Sequence, residues 1–459
     1  MAAAATFGRL SDLLASLVVS DVRIIDPVRG TDQRRDLVVV DGRLAPEERP
    51  PDAGLRIDGR NLVAAPGLCD LHTHLREPGG AGEALGSGTR AAAHGGFTTV
   101  CAMPNTDPPL DDPLRLRGLL ADSRDLAARV RAIAAASLGR RGEQLSDYRA
   151  LAAAGAVGFS DDGSALASAS LARAALVYLA PLGLPLIEHA EDPSLAGASQ
   201  MRAGAVATRL GLAGWPPSTE LTIVERDIAL ASETGGWVHF THLSTASAVA
   251  AVRRAKQLGT RVTCDVTPHH LALTDRWVAG DRRFAWEVDG ATADGSLECL
   301  GPQLAYDGSC RVNPPLPSRD DALALIEALA DGTIDAIATD HAPHPPERTL
   351  VEFEAAAPGI IGLETALSIG LALVESGRLS LGRLLEALSA APAAMIGEHR
   401  SLQPGDLADL VVFDPTARWR PTDATLASGS RNTPLLGREL PGVVRLTLAE
   451  GRITYADLP

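Results

Sequence analysis

Lysine is almost missing from this chain. The 459 residues hold one, Lys256, against many arginines, so any step that needs a lysine amine has a single place to occur. Cysteine is sparse too. Cys69, Cys101, Cys264, Cys299 and Cys310 are five, an odd number, scattered without C-x-x-C spacing. That excludes a thiolate-built structural zinc site and a disulfide framework, and predicts reduced thiols in a cytosolic protein. No apolar run is long enough to span a bilayer uninterrupted by charge, so no membrane partner is expected. Residues 1–20 are rich in Ala and Leu, but Arg9 and Asp12 split them. With no basic segment ahead of an apolar core, no signal peptide is expected. Positive charge is in deficit, 42 Lys and Arg against 57 Asp and Glu, for a formal net charge of -15. This balance argues against a nucleic-acid surface and for a soluble cytoplasmic protein.

What is present is a large apolar fraction, 46% of the residues, enough for a sizeable core. The length suits an α/β barrel with an appendage. Residues 16–64 read as short β-branched strands punctuated by Asp26-Pro27 and Asp41-Gly42, and a similar texture returns around 408–415 and 443–448. Two all-β ends around a different middle predict one small β-sandwich built from both termini. The expected division is 1–61 and 401–459 for the sandwich and 62–400 for the barrel.

In the middle, eight apolar strands alternate with Ala- and Leu-rich helical stretches such as 245–258 and 320–330. The candidate strands are 62–74, 97–104, 130–137, 156–162, 184–190, 238–244, 261–270 and 336–344. Eight βα units predict a parallel (β/α)8, TIM-like barrel, with a doubly wound open sheet as the alternative that periodicity leaves open. The polar residues favour the barrel. All strands but the third run out into a polar cluster: His72/His74, Asn105, Asp161/Asp162, His189, His242, His269/His270 and Asp340/His341. Single polar residues at strand ends are commonly helix caps. Five or more metal-capable groups at the one end where barrel active sites lie are hard to explain as caps.

His72 and His74 are spaced i, i+2, so on a strand both face one side and can approach one cation. With His189, His242, Asp162 and Asp340 the set has donors for two divalent ions, zinc by ligand type, with manganese or cobalt as options. Such a centre predicts hydrolysis or formation of an amide-like bond, with a carboxylate at the mouth moving the proton.

The stretch from Pro66 to Gly79, PGLCDLHTHLREPG, resembles the signature of dihydroorotase in the amidohydrolase superfamily. The likeness continues in order through GGFTT (95–99), AMPNT (102–106), FSDDG (159–163), HAED (189–192), HLST (242–245) and VTPHHL (266–271). It runs on through NPPL (313–316), DGTID (331–335), ATDHAPH (338–344) and GIIGLET (359–365). It therefore spans most of 60–400. The resemblance implies that His72 and His74 bind one zinc, that His189 and His242 bind a second, and that Asp162 bridges them. It implies that Asp340 binds metal and acts as general acid/base. Arg76, Asn105 and His344 would hold the substrate carboxylate, with Asn313 and the backbone at Pro358-Gly359 on the ring. The implied reaction is reversible cyclisation of N-carbamoyl-L-aspartate to L-dihydroorotate and water in pyrimidine synthesis, with two Zn2+ per subunit. A homo-oligomer and a complex with aspartate transcarbamoylase are the expected partners beside the substrate.

Some residues have a plainer reading. Arg76 can be a rim ion pair with Glu77, although a guanidinium two residues past His74 suits a planar carboxylate. His269 and His270 are expected behind the ligands or in packing, Asp161 behind the ligands or as a capping residue, and His94, His239 and His399 as structural or surface groups. Two segments depart from the family: 277–311 is longer than expected, and 80–85 is less charged. The rival enzymes, dihydropyrimidinase and allantoinase, resemble the chain in His-x-His and the closing Asp but use a carboxylated lysine bridge. Lys256 falls on a helix, far from any strand end. A catalytically weak dihydroorotase-like scaffold for aspartate transcarbamoylase would lack metal histidines, and none is missing here.

Overall fold

The computed structural model describes residues 14–287 and 304–458, together with the backbone of Thr6–Phe7. Eight parallel strands form the centre: β1 (Leu68–Thr73), β2 (Phe97–Ala102), β3 (Arg129–Ala135), β4 (Ala156–Ser160), β5 (Leu186–Glu188), β6 (Val238–Phe240), β7 (Val262–Val266) and β8 (Ala336–Ile337). They lie side by side in chain order. The ring closes where Thr73 bridges to His341 in parallel register and the His74 N–H donates to the His341 carbonyl at 2.9 Å. This is the barrel, and each strand falls within its expected stretch except the third, which starts one residue early at Arg129.

Both faces of β1 and β2 are buried, which explains their near-continuous apolar character. Leu71, Cys101, Met103, Ile133, Ile187, Ala336 and Ala338 form a separate cluster inside the ring. The lumen is a packed core that pushes chemistry to the rim. Outside, helices supply the second layer. Ala246–Gln257 starts where the Thr245 side chain accepts the Ala248 N–H. Arg319–Ala330 starts at Ser318, with Asp320 and Asp321 in its positive-ended first turn. Among the described residues no helix is long and apolar enough to cross a membrane.

The two chain ends share one nine-stranded sheet. Val63–Pro66 is its junction, parallel to Leu17–Asp26 on one side and antiparallel to Leu410–Trp419 on the other. Arg43 bridges to Leu407, and Leu17, Leu44, Leu410 and Leu448 belong to one apolar cluster. The layers of the expected sandwich are thus halves of a single sheet folded over a common core. Of the segment 277–311, residues 288–303, including Cys299, lie outside the described residues. The stretch before them is packed: Trp277 is 1% exposed and stacks on Phe284, whose ring lies 3.8 Å from the Arg438 guanidinium.

Candidate metal centre and active site

The rim at the C-terminal ends of the strands brings six expected ligands together. Asp162 reaches all four imidazoles: its carboxylate lies 3.3 Å from His72, 3.6 Å from His74, 3.7 Å from His189 and 3.8 Å from His242. Asp340 lies 3.3 Å from His72 Nε2 and 3.0 Å from His74 Nε2. All six are buried. His242 and Asp340 also hold left-handed backbone conformations at φ +43 and +46, as does Arg76 at +61. Non-glycine residues pay conformational energy for that geometry, and it clusters at working sites.

The proton positions follow from the neighbours. The Thr241 hydroxyl donates to Asp265 at 3.1 Å, so its oxygen accepts the Nδ1–H of His72 at 2.8 Å. His74 Nδ1–H donates to Asn105 Oδ1 at 2.9 Å. In their neutral forms both rings therefore turn a bare Nε2 inward, and those two nitrogens sit 3.3 Å apart. Asn105 also donates to Asp162 Oδ2 at 3.0 Å. Asp70 ties the strand ends by accepting from Thr73, Thr339 and the His72 amide, and Asp265 accepts the His242 amide at 2.6 Å.

Lone pairs facing lone pairs and carboxylates make a pocket that demands positive charge. Burial disfavours charging His72, yet Asp162 and Asp340 outweigh it and raise His72 to about 9. Burial is likewise overcome at His189, raised to about 10 by Asp162 and Glu191. At His74 and His242 burial prevails and the pKa falls. Asp162 is held well below the carboxylate range despite its burial, chiefly by His72. Two donor groups, His72/Asp162/His242 and His72/His74/Asp340, have ligand atoms within 4.8 Å of one another. Imidazole nitrogens and carboxylate oxygens fit a divalent metal. His189 Nδ1 joins at 3.0 Å from His242 Nε2, while His242 Nδ1 is buried without a hydrogen-bond partner among the described residues.

A cavity of about 350 Å³ opens above this cluster, and Arg76, Asn105, Asn313, His344, Pro358 and Gly359 all line it. Arg76 Nε donates to the Pro343 carbonyl at 3.1 Å, and His344 Nε2–H donates to the Pro358 carbonyl at 2.9 Å. Burial and then Arg76 lower His344 to about 4, so the ring is neutral. Asn313 Nδ2 lies 3.4 Å from His189 Nε2. Arg140 and Arg348 line the cavity as well, and neither carries a sequence signal. Arg140 donates to the Asp161 carbonyl at 3.2 Å and to that of Asp162. It follows the third strand, the one without a polar cluster at its end, so that strand serves the rim through a residue three places past its expected limit.

The plainer readings also find their places. Asp161 accepts the Ser137 amide at 2.9 Å and its hydroxyl. His270 contacts Thr267 and the Pro314 carbonyl, and His239 pairs with Asp265 at 2.8 Å. His94 meets Glu364, and His399 is exposed. Lys256 Nζ binds Asp335 and the Thr333 carbonyl, just ahead of β8 and so at the opposite end of the barrel. Glu83, on the unusual 80–85 segment, is buried against His341, with Nε2 of that ring 3.2 Å away.

Comparison with known proteins points one way. Residues 59–248 match the family model described as Dihydro-orotase-like. A dihydroorotase of Anaeromyxobacter dehalogenans (strain 2CP-C) is 46% identical over 448 residues, covering 96% of this chain and 98% of the relative. A dihydroorotase of Pelobacter propionicus is 40% identical over 446 residues, with 96% and 99% covered. Among solved structures, the L-hydantoinase (dihydropyrimidinase) from Arthrobacter aurescens superposes with a TM-score of 0.80 at 23% identity, over 97% of each chain. The dihydropyrimidinase from Brevibacillus agri NCHU1002 gives 0.76 at 18%, over 96% of this chain and 95% of that one. At such identities these two structures bear on the fold alone.

Proposed function

The chain belongs to the dihydroorotase family, hydrolases of a cyclic amide, and on that premise we propose how its rim site interconverts N-carbamoyl-L-aspartate and L-dihydroorotate with release of water. The observation that carries the assignment is Asp162 within 3.8 Å of four imidazoles, with Asp340 beside His72 and His74. His72, His74, His189, His242, Asp162 and Asp340 would hold two zinc ions, which supply Lewis-acid polarisation of a carbonyl and a water of lowered pKa when bound.

The chain's own residues do the rest. Arg76 holds the substrate's α-carboxylate with a two-pronged guanidinium, flanked by Asn105 and His344. Asn313 and the backbone of Pro358 and Gly359 face the ring. In hydrolysis, Asp340 takes a proton from the attacking water and delivers it to the ring nitrogen as the C–N bond breaks. In cyclisation the same carboxyl group takes the proton from the carbamoyl nitrogen as it attacks the side-chain carboxyl carbon, and returns it to the departing oxygen as water leaves. Asp340 can do this because it sits at the mouth, between His74 and the cavity. Lys256 lies at the other end of the barrel and takes no part.

The test is a spectrophotometric assay of dihydroorotate hydrolysis on metal-loaded protein, with zinc counted per chain. Turnover with about two zinc ions supports the reading. Metal-replete protein without turnover would reduce the chain to a scaffold.

A further inference from the structure

Asn432 belongs to no barrel element. It lies between the strands Leu410–Trp419 and Leu440–Ala449, yet it is 3% exposed and wedged into the barrel rim. Its Nδ2 donates to the Ala342 carbonyl at 2.9 Å and to the Gly359 carbonyl at 2.8 Å. Its Oδ1 accepts the His344 amide at 3.1 Å, and its backbone carbonyl accepts the Ile361 amide at 3.1 Å. Both donors and the acceptor of one side chain are therefore committed to two rim loops, 342–344 and 358–361.

Those loops carry the substrate end of the cavity. The first holds Arg76 through the Pro343 carbonyl and bears His344, and the second receives His344 at Pro358. The join has no slack. Gly359 sits at φ +155, and a Cβ there would come within 2.7 Å of the Ala342 carbonyl oxygen and 3.0 Å of His344 Cδ2. The segment carrying Asn432 is anchored separately. Ser430 Oγ donates to the Gly82 carbonyl at 2.6 Å, and Ser428 Oγ donates to Glu83 at 2.7 Å.

We propose that Asn432 is a positioning residue which sets the spacing of the two rim loops and, through it, the grip of Arg76 and His344 on the carboxylate of the substrate. Asn432 is not among the residues that line the cavity, so it acts through the loops. The inference rests on the functional reading above. Its physical basis is that a buried carbonyl left without a donor repels its neighbours and shifts the loop that carries it. A shift of about 1 Å at a clamp is enough to weaken it by orders of magnitude.

The test compares Asn432→Ala and Asn432→Ser with Ser430→Ala, which removes an anchor of the same segment but no bond to either loop. Four quantities are read: kcat and KM for dihydroorotate, Kd for orotate (a planar ring acid with the same carboxylate), zinc per chain, and Tm. For Asn432→Ala, KM and the orotate Kd rise about tenfold or more, while kcat stays within threefold and zinc content is unchanged. Asn432→Ser falls between, and Ser430→Ala keeps both constants within twofold. Unmoved constants in the Asn432 variants, or an equal rise in Ser430→Ala, overturn the proposal. So does a loss of zinc and Tm that accounts for the change. If neither Asn432 variant folds, hydrogen exchange on the wild type decides. Orotate should slow exchange in 342–346, 358–362 and 430–433 together, and protection of the two loops without 430–433 overturns the proposal. A wild type that neither turns over dihydroorotate nor binds orotate defeats the reading of the site itself. An active wild type with unmoved Asn432 variants defeats only this inference.

Discussion

The barrel buries charge at both ends, and the two ends handle it differently. At the N-terminal end of the strands, Arg129 meets Asp409 at 3.0 Å, Glu398 at 3.2 Å and Glu450 at 3.2 Å. Arg131 meets Glu398 at 2.6 Å, and Arg400 meets Glu398 at 2.7 Å and Asp409 at 2.9 Å. Every cation there has a carboxylate. Although burial opposes it, Asp409 and Glu398 raise the pKa of Arg129, which fixes its charge. At the C-terminal end, imidazole nitrogens face each other across 3.3 Å with two carboxylates beside them and, among the described residues, no arginine on the ligand atoms. The first cluster is electrically complete and acts as a joint between the barrel and the 398–409 segment. The second groups imidazole nitrogens and carboxylate oxygens as the donors of a cation would be grouped. Burial of charge is common to both, and the titratable rings crowded onto shared carboxylates mark the site.

That contrast can be attacked by substitution, taken here in order of falling effect on turnover. Asp340→Asn keeps the shape and an oxygen donor but cannot carry a proton. Turnover should drop by about 10²–10⁴ in both directions, the usual size for a lost general acid/base, with at least one metal retained by elemental analysis. Near-normal turnover with both metals in place would move the proton transfer to another group, His344 first. Asp162→Ala removes the carboxylate at the centre of the four rings. Zinc per chain should fall by about half, with turnover down roughly 10²-fold or more, since loss of a group merely supporting a ligand already costs about 10–100-fold. Unchanged stoichiometry and rate would strip Asp162 of its bridging role.

Arg76→Lys keeps the charge and loses the fork. KM should rise about tenfold or more while zinc content holds; zinc loss at constant KM would make Arg76 a support of the metal loop. At the other end, Arg400→Met breaks a buried ion network. It should cost about 3–5 kcal/mol of stability, read by denaturant melts, while turnover per folded molecule stays within twofold. A large rate loss there would show that the two ends are coupled. Lys256→Met should leave turnover and zinc content within error, because its amine pairs with Asp335 away from the rim. A collapse in activity would bring back a lysine-bridged centre.

Much of this was legible from local pattern. The i, i+2 spacing of His72 and His74 and the polar residues where seven of the eight apolar strands end place the metal-capable groups on one rim, because parallel strands all point the same way. What stayed hidden depends on contacts between distant parts of the chain. Asn432 stands 90 residues from Ala342 and 73 from Gly359, in a stretch whose sequence reads as ordinary loop. Glu83 meets Ser428 across 345 residues. Arg140 escaped because it is a loop arginine beyond a strand that ends without polar signal. The terminal strands were readable as strands, but not their union into one sheet, since alternation reports a buried face and says nothing about which edge finds which partner.

The seam of the barrel has a consequence for how the protein is made. His74 and Asp340 are separated by 266 residues, and Thr73 and His341 close the ring between the same two strands. At about 5–20 residues per second, a ribosome that has released His74 needs roughly 13–53 s more to deliver Asp340. Throughout that interval the nascent chain has an incomplete ligand set and no closed ring. Val63–Pro66 waits longer still, with one edge open until Leu410–Phe413 emerges to pair with it. An unpaired edge is an invitation to other chains. Slow translation or early termination should therefore load this protein onto chaperones in proportion to the delay, long before any loss of the finished enzyme is felt.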